Sequence, residues 1–253
     1  MSTDEQGLHV TNLSAGYGRV PVVFDVSFSV ASGEMVALVG RNGAGKSTSL
    51  AAVAGLRYGP VGGRVSLDGQ DLSGASSDSI VRAGLKLVPE GRRLFRDMSV
   101  YENLRLGAFL RRREGRRAVD TDISRVFDLF PALAVARSKT VSSLSGGQQQ
   151  MVAVGQALMT SPRFLALDEP TAGLAPTLID TMYESFTALA REGIGLLIVD
   201  QNIERVLEST RRYYVVDGGR VVLDGPCHAG AMEQVVKIVL GSERQREETL
   251  DRL

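Results

Sequence analysis

Apolar positions change their spacing along this chain, and each change predicts a different element. Between His9 and Val30 they alternate: His9-Val-Thr-Asn-Leu13, then Phe24, Val26, Phe28 and Val30, with Ala15-Gly-Tyr-Gly18 reading as a turn between them. Period-two alternation predicts strands with one buried face. After a turn at Ser32-Gly33 comes Met35-Val-Ala-Leu-Val39, a continuous apolar run that predicts a fully buried strand. A glycine-rich loop, Gly40–Gly45, follows. Lys46–Gly55 has the composition of a helix ended by glycine, and Arg64–Asp68 reads as a strand leading into a hairpin-type turn at Asp68-Gly69.

Past Val88-Pro-Glu-Gly91 the spacing becomes helical, at Val100–Phe109, Ile123–Phe130 and Gln148–Met159, with the charged run Arg111-Arg-Arg-Glu-Gly-Arg-Arg117 between the first two. Strand-like runs return at Phe164–Leu167 and Leu196–Val199, on either side of helix-compatible Ala175–Ala190. Tyr213–Val216 and Arg220–Leu223 predict a late hairpin around Asp217-Gly-Gly219. The expected fold class is therefore α/β: a strand-rich N-terminal lobe on an α/β core, interrupted by a helical insert. The expected boundaries are residues 8–90 and 162–241 for the core and 91–161 for the insert, with 242–253 a charged tail. No internal repeat is visible.

Composition narrows the function. A chain of 253 residues buries about three-quarters of its unfolded surface and needs no staple. The single cysteine, Cys227, reads as a small, half-buried residue in a reducing compartment. His9 and His228 lie at opposite ends, which argues against a histidine-based zinc site. The 29 basic residues balance the 29 acidic ones, so binding to a nucleic-acid backbone is not expected. The best apolar runs, Met35–Gly40 and Ile194–Val199, are strand-length and far short of the roughly 20 residues of a membrane helix. Met1–Gln6 is acidic and lacks the apolar stretch of a secretory signal, so any membrane contact is expected through partners only. Among the basic residues only Lys46, Lys86, Lys139 and Lys237 are lysines, which draws attention to Lys46 as a place for a compact ammonium.

Gly40-Arg-Asn-Gly-Ala-Gly-Lys-Ser47 matches the phosphate-binding loop G-x-x-x-x-G-K-[ST] at every fixed position, after a predicted strand and before a predicted helix. Gly40, Asn42, Gly43, Ala44, Gly45, Lys46, Ser47 and Thr48 are the candidate nucleotide-binding residues. Glycines let successive amides turn inward on phosphates, Lys46 reaches the terminal phosphates, Ser47 can ligate Mg²⁺, and the helix N-terminus adds positive potential. Leu165-Ala-Leu-Asp168-Glu169 is an apolar strand ending in two acids. In phosphate-loop proteins an Asp there holds Mg²⁺ through its water shell, and the following Glu is placed to activate the attacking water. Leu144-Ser-Gly-Gly-Gln148 opens a predicted helix, so Ser145, Gly146, Gly147 and Gln148 make a second anion-facing terminus.

In this order, ahead of the two acids, Leu144–Gln148 resembles the signature motif of ABC-type ATPases, and the likeness extends from about His9 to Gly241. It implies a single ATP-binding cassette that works as a head-to-tail dimer, with ATP held between the phosphate loop of one subunit and the signature of the other. It further implies ATP and Mg²⁺ as cofactors, Asp168 as the Mg²⁺-linked acid and Glu169 as the catalytic base. Tyr17 sits where the family places an aromatic that stacks on adenine; a core tyrosine in a turn is the other reading. Leu87-Val-Pro-Glu-Gly-Arg-Arg-Leu-Phe95, Tyr101-Glu-Asn-Leu104, Leu129-Phe-Pro131, Gly173-Leu-Ala-Pro176 and Ile198-Val-Asp-Gln-Asn202 resemble the LivF-type subunits of branched-chain amino acid importers. Urea and amide importers use similar subunits. The resemblance implies two permeases and a sister ATP-binding subunit (or a second copy) as partners. It also implies a location on the cytoplasmic face of the cell membrane.

The general ABC pattern is broken at Glu90 (usually Gln), Ala175 (usually Asp) and Gln201 (usually His), departures that the LivF-type branch tends to share. Gln201 cannot be protonated and can only donate a neutral hydrogen bond to a γ-phosphate. Glu90 adds negative charge near the metal unless it ligates Mg²⁺ or takes up a proton. Glu90–Tyr101 matches the family's permease-facing surface, where Leu94, Phe95, Met98 and Tyr101 are candidates for an apolar groove, with core packing favoured for Met98. The Arg111–Arg117 run is open to anionic lipid headgroups, but charge runs ordinarily are solvated loops. A soluble ABC ATPase acting on ribosomes or DNA is disfavoured by one cassette, balanced charge and no sustained heptads. A phosphate-loop kinase or GTPase would not need Leu144–Gln148. A non-hydrolysing regulatory binder stays open on the three departures.

Overall fold

The computed structural model describes residues 6–56, 59, 61–228 and 230–239. The 242–253 tail and the first five residues, on which expectations were placed, lie outside them. The N-terminal lobe is an antiparallel sheet in the order β2-β1-β4-β5, built from β1 (Leu8–Tyr17), β2 (Val20–Val30), β4 (Val61–Leu67) and β5 (Gln70–Asp71). Ala15–Gly18 is not a turn. β1 runs through Tyr17 because β2 and β4 both hydrogen-bond to it, and only Gly18-Arg19 reverses the chain. Gly16 serves close approach instead: a Cβ there would lie 2.1 Å from the Val20 carbonyl oxygen.

The second sheet has the order β10-β9-β3-β8-β7-β6. β3 (Met35–Gly40), β6 (Leu85–Val88), β7 (Phe164–Asp168), β8 (Gly195–Val199) and β9 (Arg212–Asp217) run parallel, and β10 (Arg220–Pro226) closes one edge antiparallel. Period-two alternation sends successive residues of each strand into different cores. Val36, Leu38, Ala166, Leu197, Val199, Tyr214 and Val216 face the N-terminal lobe, α1 (Lys46–Val53) and α2 (Ser77–Arg82). Ala37, Val39, Leu165, Leu167, Leu196, Ile198, Tyr213 and Val215 face the other helices. These are α3 (Val100–Gly107), α4 (Arg116–Leu129), α5 (Pro131–Val135), α6 (Gly146–Leu158), α7 (Pro176–Arg191), α8 (Ile203–Ser209) and α9 (residues 230–239). This second core is continuous from the sheet through Leu104, Val126, Leu133 and Met151, so α3–α6 share it with the sheet. β3, β7 and β8, at the centre of the sheet, are covered on both faces, which is why they read as unbroken apolar runs, whereas β10 at the edge alternates exposed and half-buried residues.

Residues 113–117 of the arginine run are exposed, as expected of it, but the run is helical rather than a loop and Arg111 turns inward. Phe109–Glu114 is a 3-10 turn, and α4 begins at Arg116 rather than near Ile123. Arg111 is 16% exposed, donating to Glu114 at 2.9 Å, Asp122 at 2.6 Å and the Met159 carbonyl at 3.1 Å. Three acceptors converge on one guanidinium, an arrangement that hydropathy along the chain does not reveal. The segment before α3 is fixed from inside by Asn103, which is fully buried. It accepts from the Phe95 amide at 3.0 Å and donates to the Phe95 and Ser99 carbonyls at 2.9 and 3.0 Å.

Candidate functional site

β3, β7 and β8 end side by side at the centre of the parallel sheet, where open α/β sheets carry their ligands. The first loop of the site runs from β3 into α1. Gly40, Gly43 and Gly45 hold φ of +155°, +78° and +105°, values that favour glycine. A Cβ at Gly40 would lie 2.1 Å from the Val216 carbonyl oxygen, whereas at Gly43 nothing stands within 4 Å, so conformation alone keeps that glycine. Asn42 and Gly43 are exposed and Ala44 is buried, its carbonyl accepting from the Gly219 amide at 3.0 Å.

Lys46 is 7% exposed, and its Nζ donates to the Gly40 and Arg41 carbonyls, both at 2.8 Å. The ammonium thus lies across its own loop, and burial draws its pKa below the ordinary lysine value against the pull of Glu169 and Asp168. Ser47 Oγ donates to Asp168 Oδ1 at 2.9 Å. Thr48 Oγ1 stands 3.5 Å from the Tyr17 hydroxyl. Tyr17 is 49% exposed at the end of β1, which removes the core reading of that ring.

Asp168, buried at the end of β7, is held above its ordinary pKa first by burial and then by the charge of Glu90, against the Ser47 hydrogen bond and Lys46. Glu169 takes the left-handed conformation, φ +49°, which turns its side chain out of strand geometry, while its amide donates to the Val199 carbonyl at 2.7 Å. Its pKa is also raised, by burial first and the Glu90 charge second, with a lowering from Gln201. Gln201 Nε2 donates to Glu169 Oε2 at 2.6 Å. One hydroxyl beside one buried carboxylate is a donor set that suits Mg²⁺, which keeps several waters and takes phosphate oxygens as its other ligands. Among the described residues no cluster of three or more His, Cys, Asp or Glu would hold a metal by itself.

Hydrogen bonds and charge therefore join Lys46, Ser47, Glu90, Asp168, Glu169 and Gln201, and Tyr17 and Thr48 form a separate pair at the start of α1. Ser145, Gly146, Gly147 and Gln148 form a cluster of their own at the head of α6. Ser145 Oγ accepts from the Gln148 amide at 3.3 Å, and the Gln148 side chain accepts from the Ser145 amide at 3.2 Å, a reciprocal cap. Gly147 packs closely on α7: a Cβ there would meet Leu178 Cδ1 at 2.4 Å, and the leucine side chain would have to shift. Between the two clusters lies a cavity of about 390 Å³ bordered by Glu90, Arg92, Arg96, Gln149, Gln150 and Glu169.

Sequence reasoning passed over Arg92 and Asp200. Arg92 holds φ +63°, donates to Gln150 and Gln149 at 3.3 and 3.4 Å, and lies 3.3 Å from where a Gly146 side chain would begin. Asp200, 4% exposed, follows β8 as Asp168 ends β7, and that likeness of two apolar strands running into an acid is the signal that marks it. The expected groove at residues 94–101 is also revised. Tyr101 donates to Asp120 at 2.9 Å with Arg137 4.5 Å above its ring, and Leu94 packs against the core. Polar partners thus claim Tyr101, and Phe95, 54% exposed, is the apolar side chain of that stretch left facing solvent.

A family model described as ABC transporter matches residues 23–172, more than half of the chain. A branched-chain amino acid transport ATP-binding protein of Pseudomonas aeruginosa, BraG, is 39% identical over 216 residues, covering 85% of this chain and 91% of its own. The lipopolysaccharide export ATP-binding protein LptB of Haemophilus influenzae is 33% identical over 240 residues, covering 93% and 98%. A solved ATP-binding cassette of an ABC transporter in its ADP conformation superposes with a TM-score of 0.81 at 25% identity, covering 93% of this chain and 99% of that one.

Proposed function

This chain belongs to the ABC transporter ATP-binding family and is an ATPase, and from that premise we propose that it powers uptake of branched-chain amino acids or related small amides. The hydrogen-bonded pairs Ser47–Asp168 and Glu169–Gln201 around one buried lysine carry the ATP-hydrolysing part of that reading, and the relatives support its cargo. In it the loop amides and Lys46 take the phosphates of ATP, Tyr17 stacks on adenine, and Ser47, Asp168 and Glu90 would hold Mg²⁺. The metal supplies charge neutralisation at the phosphates. Glu169 accepts the proton of the attacking water, and its raised pKa suits a base. Gln201 orients Glu169 and donates to the γ-phosphate. Ser145, Gly146, Gly147 and Gln148 serve the nucleotide of a partner subunit, which is a sister ATP-binding protein or a second copy.

No helix among the described residues is long and apolar enough to cross a membrane. We assign the chain to the cytoplasmic face of the membrane, held by permease subunits that bind at residues 90–101 around exposed Phe95. Import is favoured by the BraG likeness and by a second relative, a probable LivF of Archaeoglobus fulgidus, 32% identical over 219 residues. The LptB relatives span more of the chain, so export of a lipid is the second reading. Deleting the gene and following uptake of labelled leucine and valine separates them: lost uptake supports import. Unchanged uptake with a lipopolysaccharide defect transfers the assignment to export.

A further inference from the structure

The loop after β8 is only Asp200-Gln201 before Asn202 caps α8, accepting from the Arg205 amide at 3.0 Å. Gln201 is exposed, and a glutamine on so short a link has no packing of its own to fix it. Its direction is set from below. The Asp200 carboxylate accepts from Thr171 Oγ1 at 2.7 Å, from the Tyr183 hydroxyl at 3.1 Å and from the Asn202 amide at 3.1 Å. Thr171 and Tyr183 are themselves buried, at 3% and 1% exposure. Thr171 stands two residues past Glu169 on the loop after β7. One buried carboxylate thus straps the loop that carries Glu169 to the loop that carries Gln201, and Tyr183 fastens both to α7. Arg205 lies over the Tyr183 ring at 5.3 Å and pairs with Asp180 at 3.0 Å, which extends the strap to α8.

We propose that Asp200 is a positioning residue for hydrolysis: it holds Gln201 against Glu169 and touches neither nucleotide nor metal. The inference rests on the reading of Gln201 and Glu169 above and adds what fixes their geometry. A carboxylate suits the place because it accepts three hydrogen bonds and donates none, and all three neighbours are donors. A misplacement of about 1 Å in a reacting group costs up to about a hundredfold in rate, so a loosened strap registers in turnover while binding stays intact.

The test uses purified chain with Asp200→Asn, Thr171→Val, Gln201→Ala and the double variant Asp200→Asn/Gln201→Ala. ATPase kcat and the affinity for a fluorescent ATP analogue are read for each. Asp200→Asn should lower kcat about tenfold or more with affinity within about twofold, and Thr171→Val, which keeps the shape of the side chain, should lower it less. The double variant should lose clearly less than the product of the two single losses, because Asp200 acts in large part through Gln201. Fully multiplicative losses in the double variant, or an Asp200→Asn enzyme with normal kcat, would overturn the inference while the reading of the site stands. Should Asp200→Asn fail to fold, Thr171→Val decides by the same cycle with Gln201→Ala. A Gln201→Ala enzyme indistinguishable from wild type would remove Gln201 from the site, and the inference would fall with that reading.

Discussion

The phosphate loop and the head of α6 are both glycine-rich turns opening a helix, yet they are built in opposite ways. The loop at Gly40–Ser47 is set in the middle of a sheet covered on both faces. Its glycines hold positive φ, and its cation, Lys46, lies in the field of Asp168 and Glu169 from the same chain. The head of α6 is shallower. Ser145 is exposed, the reciprocal cap with Gln148 satisfies only part of the helix terminus, and the nearest charge is the guanidinium of Arg92. A cation at the positive end of a helix is an electrostatic mismatch. Arg92 and Arg93 also hold left-handed φ of +63° and +47°, costing about 1–2 kcal/mol each. The first site meets its cation with carboxylates of the same chain. The second is arranged so that an anion from outside improves it, which is what the proposed dimer supplies.

Two substitutions should break that contrast open. Lys46→Ala removes the cation from the self-contained site, and ATP affinity should fall by about a hundredfold or more, since a charged contact to phosphate is lost from a buried position. Glu169→Gln should lower hydrolysis by about 10²–10⁴-fold with ATP affinity kept. Equilibrium binding and steady-state phosphate release on the same preparations check both. Ser145→Ala belongs to the other region. It deletes the N-cap of α6, a loss of about 0.5–2 kcal/mol in thermal or urea unfolding, and should slow hydrolysis several-fold while ATP affinity of the single chain is unchanged. If Ser145→Ala weakened binding as much as Lys46→Ala does, the two termini would be parts of one site within one chain, and the contrast would be wrong.

The same contrast governs what could be read from the residues. β3, β7 and β8 were legible because burial on both faces leaves an unbroken apolar run. Lys46, Asp168 and Glu169, which the structure brings together, stood out as candidates because phosphate chemistry fixes the spacing of such residues to the strands before them. β6 and α2 were missed, since Leu85–Val88 is too short to show a period and α2 buries only Ile80 within its span. The turn assigned to Ala15–Gly18 failed because Gly16 marks backbone approach between paired strands, and pairing is a property of three strands together. Arg111 and Tyr101 misled for a similar reason: their partners, Asp122, Met159 and Asp120, lie beyond local spacing and identify themselves only in three dimensions. Asp200 was quoted as part of a resemblance and given no role, because its three donors come from different elements.

The smallest effect offers the finest test. Asp168 and Glu169 are held above their ordinary values of 3.8 and 4.5, by burial first and by the charge of Glu90 among the other causes. For an acid raised on folding, the native state binds more protons than the unfolded state in the window just above those values, so stability falls as pH rises through it. Activity has the opposite slope there, because a base must be ionised to accept a proton. Glu90→Gln deletes one carboxylate charge and leaves the burial. The acidic limb of the ATPase pH profile should therefore move to lower pH, by less than about one unit, with the limb still above that of an unburied glutamate. Ser145→Ala, at the head of α6, should leave the limb where it is. A limb that stays put in Glu90→Gln while the Mg²⁺ concentration needed for half-maximal rate rises would show that Glu90 acts as a metal ligand. In that case its charge is neutralised in the working enzyme, and burial alone sets the base.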